Sequence, residues 1–369
     1  MALHALAARV ADATPPTRDR AVDGLRALAI GGVVLGHWLV TALVTDGDTV
    51  RGASPLRFQP ELAPVSWLFQ TLAVFFLVGG YTAGRPRTQP YRRWLAARLT
   101  RLLRPVPPLL GVWALVVAGL LASGATDRTV HTLVKLVLSP LWFLLVFAAL
   151  TAATPLVSRV HWQWPLSVVI VVDVLRFGPL APAVPAWIGW VNLAAGWLVP
   201  FCLGIAWSRG TLRLRRTGWQ LLVGGGAATV VLIRWFGYPA SMVGVPGEGI
   251  SNLNPPTLAA VTFGLAQCGL ALLLLGPLRA LLARPVAWAG VALLNLSAMT
   301  VFLWHQTAMI TVTLAVDGTR PGLHTVPDTP GWMAARVLWL PAFAVVLAGC
   351  WAAFHRFERG PAGARSRAT

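Results

Sequence analysis

The chain has 369 residues, of which 56% are apolar and only 11% charged, and its 30 Lys and Arg against 12 Asp and Glu give a formal net charge of +18. So few polar side chains cannot coat a soluble globule of this size, which excludes a soluble domain and leaves a polytopic membrane protein whose apolar runs of ~20 residues are spans. The cations sit in short clusters between apolar runs instead of on one basic module, a pattern of bilayer anchoring that speaks against a nucleic-acid partner.

Taken in chain order, the apolar runs predict an all-α transmembrane bundle of about ten spans: 24–43, 65–83, 105–123, 139–157, 165–180, 186–207, 218–235, 257–275, 296–316 and 335–354. The first run lacks the flanks of a cleavable leader and reads as an uncleaved span. Placing both termini in the cytoplasm puts 22 of the 30 basic residues on inner segments, as the positive-inside rule demands, and makes the inner membrane the expected location. The domain plan is then a cytoplasmic tail at 1–23, a membrane domain at 24–354 and a basic cytoplasmic tail at 355–369. The fifth span is the weakest, because WPLSVVIVVDVLRFGPL is short and holds Asp173 and Arg176, an i, i+3 pair read as an ion pair. Outer segments 44–64, 236–256 and 317–334 are rich in Gly, Pro, Asp and Asn and read as connecting loops, with a lid or acceptor-facing rim as the alternative. Cys202, Cys268 and Cys350 show no paired spacing, so neither a disulfide framework nor a metal site is expected.

The first span carries the most telling pair. In GLRALAIGGVVLGHW, Arg26 and His37 are eleven residues apart, three helical turns with only ~20° left over, so they share one stripe. The same spacing is a rise of ~16 Å, which carries the histidine past the midplane of a core ~30 Å thick when the arginine stands at its mouth. Intramembrane ionisable groups are costly and mark function.

Here the residues reach a family. RDRAVDGLRALAIGGVVLGHW, with Arg26, ten intervening residues and His37 behind Asp23-Gly24, resembles the first span of acyltransferase family 3, bacterial integral-membrane enzymes that modify glycans and other hydroxylated molecules. FFLVGGYTAG resembles the family's second span, with Gly79 where a serine is common; RLTRLLRPVPP resembles its arginine-rich third entry through Arg98, Arg101, Arg104 and Pro105. LWFL at 141–144 and SAMTVFLWHQ at 297–306, with Ser297 and His305, resemble later segments. The resemblance implies acyl transfer from an acyl-CoA, acetyl-CoA foremost, to a hydroxyl of a glycan, lipid-linked sugar or exported metabolite, with no permanently bound cofactor.

Under that reading, His37 is the expected general base, with an acyl-imidazole nucleophile as the open alternative. Arg26, Arg98, Arg101 and Arg104 are the expected binders of the donor's phosphates, since a guanidinium stays charged and offers forked donors. The recurrence of Arg98, Arg101 and Arg104 every three residues spreads them over ~120° of one helix side. His305 is either a second histidine of the site or a packing residue hydrogen-bonded to a neighbouring span. Trp142 and Trp304 are candidates for shaping the pocket, and His4, His131, His161, His324 and His355 receive no role. The rival from another class is a secondary transporter or flippase with His37, His305 and Asp173 as a proton relay. No nucleophile-elbow, P-loop or zinc-protease motif is present.

Overall fold

The computed structural model describes residues 2–247, 249–316 and 318–358. Among these, fourteen helices of more than two turns follow one another: α1 (Ala2–Asp12), α2 (Arg20–Val40), α3 (Leu72–Gly84), α4 (Tyr91–Leu103), α5 (Val106–Ala122), α6 (Asp127–Leu138), α7 (Leu141–Ala152), α8 (Gln163–Phe177), α9 (Val191–Ser208), α10 (Leu214–Trp235), α11 (Leu258–Leu282), α12 (Pro285–Leu296), α13 (Ala298–Ala315) and α14 (Pro330–Glu358). One antiparallel hairpin interrupts them, β1 (Ala42–Asp46) with β2 (Thr49–Ala53), paired Ala42 to Ala53 and Asp46 to Thr49.

Eight segments are long and apolar enough to cross a membrane, including Tyr91–Ala122 and Asp127–Ala152, which each join two of these helices. Each of the ten predicted spans falls on helix, but two are not among the eight: α8 is only 15 residues long, and α10 begins on basic residues. Boundaries differ where polar residues form helix outside the apolar run. The fourth span starts at Asp127 instead of 139, because α6 buries Thr129, Leu133 and Val137 at i, i+4 and i+8 and turns its charges outward. The third likewise extends back to Tyr91 through the basic α4. Of the basic tail predicted at 355–369, residues 359–369 lie outside the described residues, and α14 continues through Glu358.

In a bilayer no hydrophobic force drives helices together, so close approach and hydrogen bonds must do it. Helices α3 and α9 show the first device: a Cβ on Gly80 would strike the carbonyl of Phe201, and one on Gly204 would strike that of Leu77. Only glycine at both positions lets these backbones touch. The second device ties the two ends of the bundle. At the end bearing α1 and α4, called here the basic end, Asp19 caps α2 by accepting from the Ala21 amide at 3.0 Å, Arg20 donates to the Leu282 carbonyl at 3.1 Å, and Asn295 donates to the Asp23 carbonyl at 2.8 Å. There too the buried Glu358 carboxylate accepts from the Met299 and Thr300 amides, closing the start of α13 with the last residue of α14.

At the opposite end, the hairpin is pinned by the Val50 amide donating to Thr129 Oγ1 (2.9 Å) and by the Thr45 amide donating to the His324 carbonyl (3.1 Å). Arg336 of α14, 1% exposed, donates to the carbonyls of Trp38 (2.6 Å), Thr41 (2.7 Å) and Gly322 (2.8 Å). It has no carboxylate partner among the described residues; it sits instead at the negative end of the α2 dipole, one turn beyond His37. Trp38 also donates from its indole to the His305 carbonyl at 2.9 Å, so α2 and α13 are locked side by side at the level of both histidines.

Candidate active site

The helical stripe through Arg26 and His37 leads from the basic end to a cavity of about 560 Å³ beneath the hairpin. Such a volume fits a small-molecule site. Its walls come from the second half of α2 (Val33 to Val40), from α6 and α7 through Trp142 and Phe143, from Phe302 and Gln306 of α13, and from residues 243–246 with Ser251, Leu253 and Asn254. Phe302 and Gln306 are one turn apart and so face the same way. His37 is half-buried and borders the cavity. The Gln306 side-chain amide nitrogen lies 3.1 Å from its Nδ1, while Nε2 of His37 makes no hydrogen bond among the described residues. The other polar side chains of the cavity wall include amides and hydroxyls, Thr41, Ser54, Gln70, Ser139 and Asn254 among them, together with His131. Among the described residues no carboxylate borders the cavity; Lys135, the single lysine of the chain, does.

His305 stands behind His37, ring centroids 5.1 Å apart, fully buried and outside the cavity wall. Its Nδ1 is 2.5 Å from the Phe302 carbonyl, to which it donates, and its Nε2 has no partner among the described residues. The structure thus brings the two histidines together but gives only His37 direct access to the space where a substrate would sit. Trp142 borders the cavity; Trp304 does not, being stacked on Phe354 at 4.0 Å on the far side of α13. A side chain at position 79 would collide with the ring of Phe147, which fills the room a serine would need.

The arginines gather at the basic end. Arg26, Arg98 and Arg101 lie within one another's electrostatic reach, but none of the four predicted donor-binding arginines borders the cavity. Arg26 is held by Asp23 at 3.1 Å, and Asp23, 5% exposed, also accepts from Arg18 at 2.5 Å. Arg98 donates to the Thr82 carbonyl (3.0 Å) and stacks over Trp94, tying α4 to the end of α3. Arg101 is exposed and Arg104 half-buried, and neither side chain makes a hydrogen bond among the described residues. The sequence reading therefore gains a residue at this end: Asp23, whose position three before Arg26 was visible but whose bridging of Arg18 and Arg26 required the fold.

At the cavity, the residues missed from sequence are Gln306, His131 and Lys135. Gln306 was legible only as the last residue of SAMTVFLWHQ. His131 and Lys135 fell in what read as a loop; they border the cavity because that loop is α6, which presents residues four apart on one side.

Asp173 belongs elsewhere. Its carboxylate accepts from the Leu258 amide (2.6 Å), Asn192 (2.9 Å) and Tyr238 (3.1 Å), with Arg176 at 3.4 Å. Burial, and then the adjacent carboxylate, push the Tyr238 hydroxyl above its ordinary range, so it remains a donor. The ion pair expected from spacing is present, embedded in a cluster that fastens α8 to α9 and α11. This cluster does not border the cavity on which His37 lies.

Together, eight segments long and apolar enough to cross a membrane and a half-buried imidazole on a cavity between helices define a multi-pass membrane protein with a polar site inside the bundle. A family model described as an acyltransferase domain matches residues 19–355, and the chain belongs to that family, acyltransferase family 3. It is accordingly a membrane acyltransferase of the EC 2.3.1 type, and the transporter alternative lapses. No curated protein and no solved structure matches the chain.

Proposed function

We propose that the enzyme takes an acyl group, acetyl foremost, from an acyl-CoA at the basic end and delivers it to a hydroxyl of a glycan, lipid-linked sugar or exported metabolite in the cavity beneath the hairpin. The observation that carries this reading is the placement of His37: it is the only histidine of the pair that borders the cavity, and its own helix runs back ~16 Å to Arg26 and the arginine group. A donor with anionic phosphates and a long flexible arm suits that separation. Its phosphates meet Arg26, Arg101 and Arg104 at the bundle's edge while the thioester reaches inward between the spans.

In the reaction, His37 removes the acceptor's hydroxyl proton as oxygen attacks the thioester carbonyl; the C–S bond then breaks and the thiolate recovers a proton. Uncharged amides such as Gln70 and Asn254 are the available donors toward the developing oxyanion. On this reading the basic end faces the cytosol, as the positive-inside rule favours, the hairpin end faces outward, and the enzyme works in the cytoplasmic membrane, carrying acyl groups across the bilayer. Membranes containing the protein, incubated with labelled acetyl-CoA, are expected to accumulate label in a lipid or glycan fraction. Label retained only in acetyl-CoA and free acetate would count against the proposal, and label fixed on His37 itself after acid quenching would replace the base by the acyl-imidazole mechanism.

A further inference from the structure

Gln306 is fully buried, borders the cavity and has its amide 3.1 Å from Nδ1 of His37. Its carbonyl oxygen Oε1 is buried with no partner among the described residues. A primary amide is a planar group with a donor on one arm and an acceptor on the other, and a half-turn about its last torsion exchanges the two. The two settings make His37 two different reagents.

With the amide nitrogen toward Nδ1, that ring nitrogen can only accept, so the ring proton resides on Nε2 and His37 offers the cavity a donor. With the oxygen toward Nδ1, that nitrogen carries the proton and donates, so Nε2 presents its lone pair. Only the second setting yields a base. It is also the only one compatible with the imidazolium that forms after proton removal, because both ring nitrogens are then donors and an amide nitrogen beside Nδ1 would leave two donors facing each other. Among the described residues no other group hydrogen-bonds the His37 ring: His305 spends its Nδ1 on the Phe302 carbonyl, and no carboxylate among them borders the cavity.

We propose that Gln306 is a positioning residue that selects the reactive tautomer of His37, its amide oxygen accepting from Nδ1–H during turnover. The step balances simply. The acceptor's O–H bond breaks as Nε2–H forms, the C–O bond forms as the C–S bond breaks, and the Nε2 proton passes to the leaving thiolate, while Nδ1–H stays bonded to Oε1 throughout. Gln306 lends no proton and forms no covalent bond. This inference rests on His37 acting as the base.

The test compares Gln306→Glu and Gln306→Met with the parent enzyme in lipid nanodiscs, with folding followed by melting temperature. Transfer is measured from labelled acetyl-CoA into an extracted lipid and glycan fraction. A carboxylate accepts from Nδ1–H as the amide oxygen does, whereas a thioether of similar size fills the space without fixing the ring. The expected kcat order is therefore Gln306 close to Glu, with Met lower by about 10²-fold and KM for acetyl-CoA little changed. Nitrogen NMR of the His37 ring in the parent is expected to show a populated Nδ1–H form, kept by Glu and lost by Met.

A methionine variant with full kcat, or a glutamate variant as impaired as methionine, overturns the proposal in favour of packing. So does a parent spectrum with Nδ1 unprotonated throughout, which needs no variant and therefore survives a failure to fold. If His37→Ala retains transfer, the base assignment itself fails, and with it the purpose of the tautomer; that failure is recognised because the ring signals of the parent remain as described.

Discussion

The basic end and the hairpin end of this bundle solve opposite electrostatic problems. At the basic end, cations persist because they are half exposed and partnered: Arg26 and Arg18 share Asp23, Arg279 holds Asp19 at 2.8 Å, and Arg98 lies on the carbonyl end of a helix. At the hairpin end, His37 borders a cavity lined by amides, hydroxyls, aromatic rings and the exposed Lys135, with no carboxylate on its wall among the described residues. A site for phosphates needs charge that stays. On the proposed reading, a site for proton removal needs a neutral ring whose lone pair is free, and a wall that is carboxylate-free among the described residues suits it. Two cations at the hairpin end take different courses: Arg336 is buried, donates to three backbone carbonyls and stays off the cavity wall, whereas Lys135 is exposed and borders the cavity.

The sharpest way to break this division is at its neutral pole. His37→Ala is expected to lower transfer by about 10³-fold while leaving the melting temperature and acetyl-CoA binding close to the parent, since a base is worth roughly 10²–10⁴ in rate. Steady-state kinetics beside a binding assay in nanodiscs would read this, and a variant that binds normally but transfers at the parent rate would move the chemistry elsewhere.

Next in size is Arg336→Met, which leaves the Trp38, Thr41 and Gly322 carbonyls without their donor and is expected to cost about 3 kcal/mol of stability. The check is the melting transition of the detergent-solubilised protein; an unchanged transition would mean the end of α2 is held by packing alone.

At the charged pole the expected effects are smaller and of a different kind. Arg101→Ala is expected to raise KM for acetyl-CoA about tenfold with little change in kcat, the loss of one charge-assisted contact, and to weaken the dependence of KM on salt. A fall in kcat with unchanged KM would place Arg101 in the chemistry instead. Last, Arg279→Ala removes a half-exposed ion pair with Asp19, and thermal scans are expected to show a loss of under about 1 kcal/mol with transfer unaffected.

Much of the membrane architecture was legible before any coordinates. Apolar runs announce spans because a bilayer admits only backbone that satisfies its own hydrogen bonds, so length and composition nearly suffice. The same rule fails at the margins. The polar, amphipathic α6 and the basic α4 form helix through local packing and spacing, which hydropathy does not register. The site was legible one helix at a time. Arg26 and His37 on a common stripe follow from 3.6 residues per turn, and His305 and Gln306 were visible as neighbours at the end of SAMTVFLWHQ. That Gln306 hydrogen-bonds His37 and borders the cavity while His305 packs behind the ring was not, because it depends on how α13 is rotated against α2, where the Trp38 indole donates to the His305 carbonyl.

The sequence by itself therefore determined the membrane class, the helical register that carries one cation and one imidazole on a single rod, and the family through local motifs, all of which depend on contacts within a segment. Only the tertiary structure decided that the arginines stand apart from the cavity, that Asp173 fastens other helices, that His131 and Lys135 border the cavity, and that Gln306, unlike the second histidine, both borders the cavity and hydrogen-bonds His37. Those outcomes are distances between residues up to 269 positions apart, and in lipid, where burial alone does not draw helices together, such distances follow from glycine contacts and a few buried hydrogen bonds that no single segment encodes.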